Sequence, residues 1–351
     1  MATDRDARVS EVLSISPGPG NPRNSEGDII ALRDGRLMLA YTRFTGGTSD
    51  DAAADLVARY SADGGLTWSG DEMLLPREGE MNSMSVSLLR LSSGALAIFY
   101  LVKNSLRDCQ LAMRASEDEG RSWSEHVRAT PGDGYYVVNN ARVVQLPSGR
   151  LIAPASWHEI PPTGGPYTPG LAMCFFSDDL GRTWQRSETT LSPPLGSVSG
   201  LQEPGLIHLT SGTLLMLLRI DLGQQYRSFS QDEGNTWTGP EPSGLASPLS
   251  PCTLRRVPGS GEVLTIWNDH SRVPEHLKGK RTPLVTAISR DEGATWENRK
   301  VLEDDPAGWF CYTSCTFACE YALLAYCAGG RGVGTLNRLR VTRIRTDWFL
   351  D

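Results

Sequence analysis

The sequence predicts an all-β protein, a six-bladed β-propeller, because two patterns recur along its 351 residues. An eight-residue box occurs five times, with consecutive boxes beginning 53 to 61 residues apart, and a hairpin pattern occurs six times. Self-similarity at such a period is typical of repeat architectures, in which each unit packs against its neighbours. The repeat must therefore be interpreted before any local motif.

The box combines residues that a tight turn requires. Its Asp can bond backbone amides two residues on, its Gly can take a positive φ, and its Trp supplies an apolar anchor. The copies are SADGGLTW from Ser61, SEDEGRSW from Ser116, SDDLGRTW from Ser177, SQDEGNTW from Ser230 and SRDEGATW from Ser289. We interpret the box as a structural turn and not as a catalytic motif.

A β-hairpin pattern precedes each box, as in DIIALRDGRLMLAY from Asp28, and a third strand leads from the hairpin into the box. A sixth hairpin, CTFACEYALLAYC from Cys315, precedes no box. Units of four short strands repeated radially predict a propeller. We expect one domain over 1–351, with EVLSIS near the N-terminus closing the ring. The expected blades are 26–80, 81–135, 136–200, 201–248, 249–305 and 306–351.

Composition excludes several function classes. The net charge of −7 supplies no basic face for nucleic acid, and no apolar run is long enough to span a bilayer. Since the N-terminus lacks the apolar core of a secretory signal, the chain as given is expected in the cytoplasm, or outside the cell if a leader was removed. The sequence indicates no cofactor and does not indicate the oligomeric state.

Seven cysteines form no disulfide framework, so reduced thiols are expected. Cys311, Cys315 and Cys319 are spaced by four, which would place them on one face of a strand. We expect buried small hydrophobic side chains there. A metal site is the alternative, although it would call for closer pairs or accompanying histidines.

Polar residues concentrate where the inner strands begin and where second strands lead into third strands. Propeller topology would place these positions on the face opposite the boxes, around the axis, so they predict a site for a polar ligand. The candidates are Glu26, Asp28, Arg43, Asp50, Asp51, Asn140, Arg142, His158, Glu203, Arg219, Arg227, Asp269, Arg281 and Tyr312.

The five boxes and six units resemble the sialidase (neuraminidase) superfamily and its BNR-repeat relatives over nearly the whole chain. The resemblance implies that Tyr312 is a nucleophile polarised by Glu203, and that Asp50 or Asp51, before the first box, is the acid/base. It also implies that Arg219 and Arg281 bind a substrate carboxylate. A phenol suits this chemistry, because a sugar bearing a carboxylate at its anomeric carbon repels an attacking carboxylate.

Two departures from the sialidase pattern bear on the substrate. Sialidases begin the first blade with an Arg, whereas NSEGDIIAL places Glu26 and Asp28 there, and Tyr326 and Cys327 stand where a supporting Glu is usual. Arg43 or Arg142 would then replace the lost cation. Alternatively, Glu26 or Asp28 hydrogen-bonds sugar hydroxyls or serves a different glycosidase mechanism.

Three functions follow. The first is an exo-acting, retaining glycoside hydrolase that removes a terminal sialic acid or related acidic sugar. The second is a glycosidase or lyase on the same scaffold that acts on a different sugar, and the third is a non-catalytic glycan-binding propeller. In each case the partner is a carbohydrate.

Overall fold

The computed structural model describes residues 6–161 and 167–351. Strands dominate these ranges, and helical structure is confined to two short 3₁₀ helices, Glu275–Leu277 and Thr346–Phe349. The prediction of an all-β protein is therefore confirmed. No helix in the described ranges is long and apolar enough to cross a membrane.

The strands form five sheets, four of them with four strands. The first contains β2 (Arg23–Ala31), β3 (Leu37–Phe44), β4 (Ala54–Ser61) and β5 (Glu72–Leu75). Another contains β15 (Gln202–His208), β16 (Leu214–Arg219), β17 (Gln224–Ser230) and β18 (Glu241–Ala246). The next contains β19 (Thr253–Arg256), β20 (Val263–Trp267), β21 (Leu284–Ser289) and β22 (Glu297–Glu303). The last joins β23 (Trp309–Ala318), β24 (Tyr321–Gly329) and β25 (Leu339–Arg345) to the N-terminal β1 (Val9–Ile15).

The remaining sheet has nine strands. Its first part contains β6 (Asn82–Arg90), β7 (Leu96–Ser105), β8 (Asp108–Ser116) and β9 (Val127–Arg128). Its second part contains β10 (Tyr135–Val137), β11 (Val144–Gln145), β12 (Leu151–His158), β13 (Leu171–Ser177) and β14 (Gln185–Arg186). The two parts are joined where Tyr135 of β10 pairs with Cys109 of β8 in parallel orientation.

Sheets pack face to face, so strands in their middle are buried on both sides. In β3, Met38 packs in one apolar cluster with Ile98 of β7, whereas Leu39 packs in another with Leu323 of β24. Successive side chains of a strand point to opposite faces, so both faces of this sheet are covered. Double burial explains why these strands are continuous apolar runs and do not alternate with polar residues.

The boxes are hydrogen-bonded turns. In the first, Asp63 Oδ1 accepts from the backbone amides of Leu66 and Thr67 at 3.0 and 2.9 Å, and the Ser61 hydroxyl donates to the same oxygen at 2.8 Å. The amides are three and four residues beyond the Asp, not two as expected, because the turn is wider. These bonds hold the pKa of each box Asp below its usual value.

Each box also packs against a strand of another repeat unit through its glycine. A Cβ built on Gly65, which has φ +87°, would lie 2.2 Å from Leu323 Cδ2 in β24, so no side chain fits there. The other four box glycines face a side chain of the preceding unit: Gly120 faces Met38, Gly181 faces Met113, Gly234 faces Ile152 and Gly293 faces Leu215. Gly181 and Met113 lie in the two parts of the nine-stranded sheet, and the other boxes join separate sheets.

The inner strands are the first strands of their units, among them β2, β6, β15, β19 and β23, and they contact strands of neighbouring units. β2 contacts β6, β15 contacts β12 and β19, and β19 contacts β23. β2 also contacts β23, so the first and last of these strands are neighbours. The starts of β2, β6, β15 and β23 line one cavity.

Candidate active site

A cavity of about 320 Å³ opens among the starts of the inner strands. It is lined by six of the residues that the sequence singled out: Glu26, Asp50, His158, Glu203, Arg219 and Tyr312. These side chains come from widely separated segments of the sequence. The structure therefore places carboxyl groups, the Arg219 guanidinium and the Tyr312 phenol around one cavity.

Four inner strands carry a bulge at the cavity. The pairing register shifts at Glu26 in β2, Ser85 in β6, Glu203 in β15 and Tyr312 in β23. All four have left-handed backbones, with φ of 55°, 61°, 41° and 57° respectively. Such conformations are uncommon for residues other than glycine, and a bulge re-aims a side chain. The four bulge residues all line the cavity.

Tyr312 and Glu203 form a hydrogen-bonded pair. The Tyr312 hydroxyl donates to Glu203 Oε1 at 3.1 Å, and Arg219 Nη1 lies 2.5 Å from Glu203 Oε2. Burial acts to raise the pKa of Glu203, but Arg219 and Arg281 outweigh it, so that this pKa is lowered and the carboxyl is ionised near neutrality. Burial, together with the Glu203 charge, raises the pKa of Tyr312, so the phenol is protonated.

Arg281 lies behind this pair. Its guanidinium carbon is 5.1 Å from the centre of the Tyr312 ring, and the side chain is buried. Among the described residues, Nε of Arg219 and both Nε and Nη1 of Arg281 are buried with no hydrogen-bond partner. Buried donors are usually satisfied, so these groups suit an anionic ligand.

Arg23, at the start of β2, is only 1% exposed. Its guanidinium donates to Ser25 Oγ at 3.0 Å, to the Thr48 carbonyl at 3.2 Å, to Asp50 Oδ1 at 2.5 Å and to Glu26 Oε1 at 3.2 Å. The sequence comparison with sialidases placed only acidic residues here, at Glu26 and Asp28. A cation is in fact present, three residues before Glu26.

The two adjacent aspartates before the first box differ in surroundings. Asp50 lines the cavity and pairs with Arg23. Asp51 instead pairs with Lys103, a buried side chain whose Nζ lies 5.2 Å from the centre of the Tyr135 ring. The loop between β3 and β4 is therefore held by the contact of Asp51 with Lys103, and the Asp50 side chain lines the cavity.

The Glu26 carboxyl is buried in low-dielectric protein. Burial raises the pKa of Glu26 to about 7, although the Arg23 charge acts to lower it. Burial also favours the uncharged form of His158, whose pKa it lowers, so the ring is neutral near pH 7. Both groups line the cavity, and their uncharged forms can donate as well as accept hydrogen bonds.

Several candidates lie elsewhere. Asp28 accepts from the amides of Ile29 and Leu88 at 2.9 Å and lines a separate cavity. Asn140 is buried and donates to the carbonyls of Gly27 and Tyr312 at 2.8 and 3.0 Å. Both therefore brace the backbone near the bulges and do not line the cavity.

Four cationic or acidic candidates are also outside the cavity lining. Arg43 lies 3.7 Å from Asp71, and Arg142 is buried against Thr253 at 3.3 Å. Burial lowers the pKa of Arg142 to about 10. Arg227 pairs with Glu241, and Asp269 pairs with Arg299. Neither Arg43 nor Arg142 therefore stands beside Glu26 as a replacement cation, because Arg23 occupies that place.

The cysteine expectation was partly wrong. Cys311 and Cys315 are buried, whereas Cys319 follows the end of β23 and is exposed. The bulge at Tyr312 interrupts the spacing of four between strand faces. Within the two described ranges, no group of three or more His, Cys, Asp or Glu side chains could hold a metal ion.

Sequence reasoning missed Arg23 and Ser85. Arg23 lies before residue 26, where the first blade was expected to begin. Ser85 is one of three serines that alternate with apolar residues from Ser83 to Ser87, and its hydroxyl donates to Glu26 Oε2 at 3.1 Å. A search for polar residues at the position of each inner strand that corresponds to Glu203 would have found Ser85.

The sequence of residues 35–330 matches the BNR repeat-like domain. The chain belongs to that family. This BNR repeat-like protein is 25% identical over 218 residues to a sialidase from Bacteroides fragilis, an alignment that covers 57% of this chain and 36% of the relative. It therefore spans about a third of the length of that curated relative.

Solved structures resemble the BNR repeat-like protein over almost its entire length. A protein of unknown function from Dyadobacter fermentans is 19% identical with a TM-score of 0.75, over 97% of this chain and 100% of that one. NanB sialidase from Streptococcus pneumoniae is 14% identical with a TM-score of 0.72, over 97% and 71%. Trypanosoma rangeli sialidase in complex with the inhibitor DANA is 16% identical with a TM-score of 0.69, over 92% and 55%. These likenesses establish a sialidase-like fold.

Proposed function

We propose that this BNR repeat-like protein is an exo-acting glycoside hydrolase that removes a terminal sialic acid or related acidic sugar with retention of configuration. The observation that carries the proposal is the hydrogen bond from the Tyr312 hydroxyl to Glu203, whose second oxygen contacts Arg219. A phenol beside an ionised carboxylate inside a cavity is suited to nucleophilic attack on an anomeric centre.

The scaffold in this proposal is a single six-bladed propeller over 1–351. We infer six blades because the box glycines of units two to five each pack against the preceding unit, and the first box packs against the last sheet through Gly65 and Leu323. The contact between β2 and β23 favours the same closed order. The pairing of β1 with β25 would then complete the last blade from the N-terminus.

In the first half of the reaction, the Tyr312 oxygen attacks the anomeric carbon while Glu203 accepts the phenolic proton. Asp50, as the general acid, donates a proton to the departing glycosidic oxygen as that bond breaks. In the second half, Asp50 accepts a proton from water, the water oxygen bonds to the anomeric carbon, and the bond to Tyr312 breaks. Glu203 then returns its proton to the phenolate.

Arg219 and Arg281 would bind the substrate carboxylate. Their buried N–H groups without partners are the donors that such a ligand would satisfy. Positive charge at these residues would also hold Glu203 ionised, as the lowered pKa of Glu203 indicates. The same two side chains would thus bind substrate and maintain the base.

Release of a fluorogenic leaving group from an α-linked sialic acid substrate tests the proposal. We expect turnover by the wild type. The turnover rate of Tyr312→Phe should be lower by about 10³-fold or more, because the nucleophilic oxygen is absent. Tyr312→Phe keeps the ring beside Arg281, so its thermal unfolding should match that of the wild type. Turnover by Tyr312→Phe at the wild-type rate would contradict the assigned nucleophile.

Binding of DANA separates catalysis from recognition. A folded wild type that binds DANA without hydrolysing the sialoside would be a glycan-binding protein, and the hydrolase proposal would fail. Arg227→Ala is a matched control for loss of an arginine, since Arg227 pairs with Glu241 outside the cavity.

A glycosidase or lyase for a different sugar is the second candidate, and the Glu26 carboxyl in the cavity wall favours it. An acidic group at that position suits a ligand rich in hydroxyl groups. A panel of fluorogenic glycosides with neutral and uronic acid sugars, assayed on the wild type and Glu26→Gln, tests this candidate. Hydrolysis of a neutral glycoside, with none of the sialoside, would support it over the first.

A further inference from the structure

Glu26 occupies the same kind of backbone position as the two residues that we assign to the reaction. Like Glu203 and Tyr312, it lies at a left-handed bulge of an inner strand and lines the cavity. Left-handed backbones at non-glycine residues are unfavourable and cluster at functional sites. The strain at Glu26 serves to aim its carboxyl at the cavity.

The carboxyl of Glu26 has two protein partners. Arg23 Nη2 donates to Oε1 at 3.2 Å and Ser85 Oγ donates to Oε2 at 3.1 Å. A carboxylate offers about four lone-pair sites, so acceptor capacity remains for a ligand. Glu26 is buried, with 4% of its surface exposed, and it lines the cavity.

Arg23 is fully engaged by the protein. Its guanidinium contacts Glu26 and Asp50 and also donates to Ser25 and Thr48. It does not line the cavity. A ligand carboxylate approaching from the cavity would therefore meet the Glu26 carboxyl before the guanidinium of Arg23.

This arrangement differs from that at Arg219. Arg219 lines the cavity, and its Nε lacks a partner among the described residues. Arg219 therefore offers a guanidinium to a ligand, whereas Glu26 and Ser85 offer a carboxyl and a hydroxyl. The two groups suit different parts of one ligand.

We propose that Glu26 is a specificity-determining residue that withholds Arg23 from a ligand carboxylate and binds hydroxyl groups of the sugar together with Ser85. The proposal rests on the glycoside hydrolase assignment, since it names which part of that substrate this wall recognises. A carboxylate would bind at Arg219, and a hydroxyl-bearing portion of the sugar would lie against Glu26 and Ser85.

The test measures binding by calorimetry at pH 8, with DANA and its uncharged methyl ester as probes. In Glu26→Gln, the affinity for DANA relative to the ester should rise about tenfold, because only the carboxylate responds to removal of the nearby negative charge. In Glu26→Ala, the affinity for the ester should fall about fivefold, because one hydrogen-bonding group is lost. Asp28→Asn removes a buried charge on the same strand outside this cavity, so it should change the DANA-to-ester ratio far less.

An unchanged ratio in Glu26→Gln, an equal change in Asp28→Asn, or no binding of either probe to any of the proteins would overturn the proposal. Thermal unfolding of each variant verifies that the binding comparison is made on folded protein. The hydrolase assignment fails separately, if the wild type binds these probes but releases no sugar. In that outcome the binding ratios still report on Glu26.

Discussion

The Tyr312 hydroxyl lies 3.1 Å from Glu203 Oε1, although 109 residues separate the two in the sequence. Both residues sit at left-handed bulges of inner strands, and the backbone of Tyr312 is braced by Asn140. The pair is therefore positioned by the strands and not by a flexible loop. Its geometry before ligand binding already joins a phenol to an ionised base.

Mutation of the pair should be non-additive. Tyr312→Phe and Glu203→Gln each remove one half of a unit that acts together, so the double variant should be no slower than the more impaired single variant. Steady-state kinetics on the fluorogenic sialoside measures this. Multiplicative losses in the double variant would mean that the two side chains act independently.

The adjacent aspartates should differ in their dependence on the leaving group. The hydrolysis rate of Asp50→Ala should fall about 10² to 10⁴-fold for a substrate with a poor alkyl leaving group. It should fall much less for one with a good aryl leaving group, because only the alkyl group needs a proton donor. Asp51→Ala is the matched control, because Asp51 pairs with Lys103 and should show a loss independent of the leaving group. A stronger leaving-group dependence in Asp51→Ala would reverse the assignment.

Glu26 should make stability depend on pH. Because its pKa is raised in the folded protein, the folded state retains a proton that the unfolded state releases above its own, ordinary pKa. This contribution is complete at low pH and is lost as the pH rises through about 7. Relative to Glu26→Gln, the wild type should lose at most about 1.4 kcal/mol of unfolding free energy per pH unit across this window.

Urea denaturation of both proteins between pH 5 and pH 8 measures that difference. The charged or titratable groups around Glu26 are Arg23, Asp50, Glu203 and Cys327. Because the variant retains them all, their own titration is largely common to both proteins. Parallel stability curves for the two proteins would show that Glu26 titrates normally.

The box serines should matter for stability and not for ligand binding. The Ser177 hydroxyl donates to Asp179 Oδ1 at 2.8 Å and accepts from the Gly181 amide at 2.9 Å. Ser177→Ala leaves that buried amide unpaired, so the free energy of unfolding should fall by about 1–3 kcal/mol. Ser10→Ala, at an exposed position of β1, is the control and should change it little.

Urea denaturation gives the two free energies, and calorimetry with DANA gives the affinities. Unchanged stability in Ser177→Ala would mean that the box is dispensable at this sheet. Weaker DANA binding by a fully folded Ser177→Ala would mean that the box influences the cavity.

The sequence predicted the all-β class because boxes and hairpins are local patterns with a fixed period. It also selected Glu203, Arg219 and Tyr312, which the structure places together, because they resemble a family pattern at strand ends. Arg23 was missed because its partners Glu26 and Asp50 lie on a bulge and in a distant loop. Neither ion pair leaves a periodic signal in one sequence.

The expectation for Cys319 failed because Cys319 lies past the end of β23, where the strand period no longer applies, and its side chain is exposed. Within a strand, counting residues assumes a constant period of two, and one bulge shifts every later side chain. The bulge at Glu26 in β2 separates the directions of Glu26 and Asp28, so Asp28 does not line the cavity as expected. Local insertion of one residue therefore limits how finely a site can be drawn from sequence.

The bulges that line the cavity are separate from the boxes that hold the units together. Glu26, Ser85, Glu203 and Tyr312 occupy equivalent places on four strands, while the boxes that join the sheets lie elsewhere. A substitution at one bulge can therefore change a cavity-lining side chain without altering the box contacts between neighbouring units. The boxes accordingly indicate the repeat architecture, whereas the four bulge residues determine which groups the cavity presents.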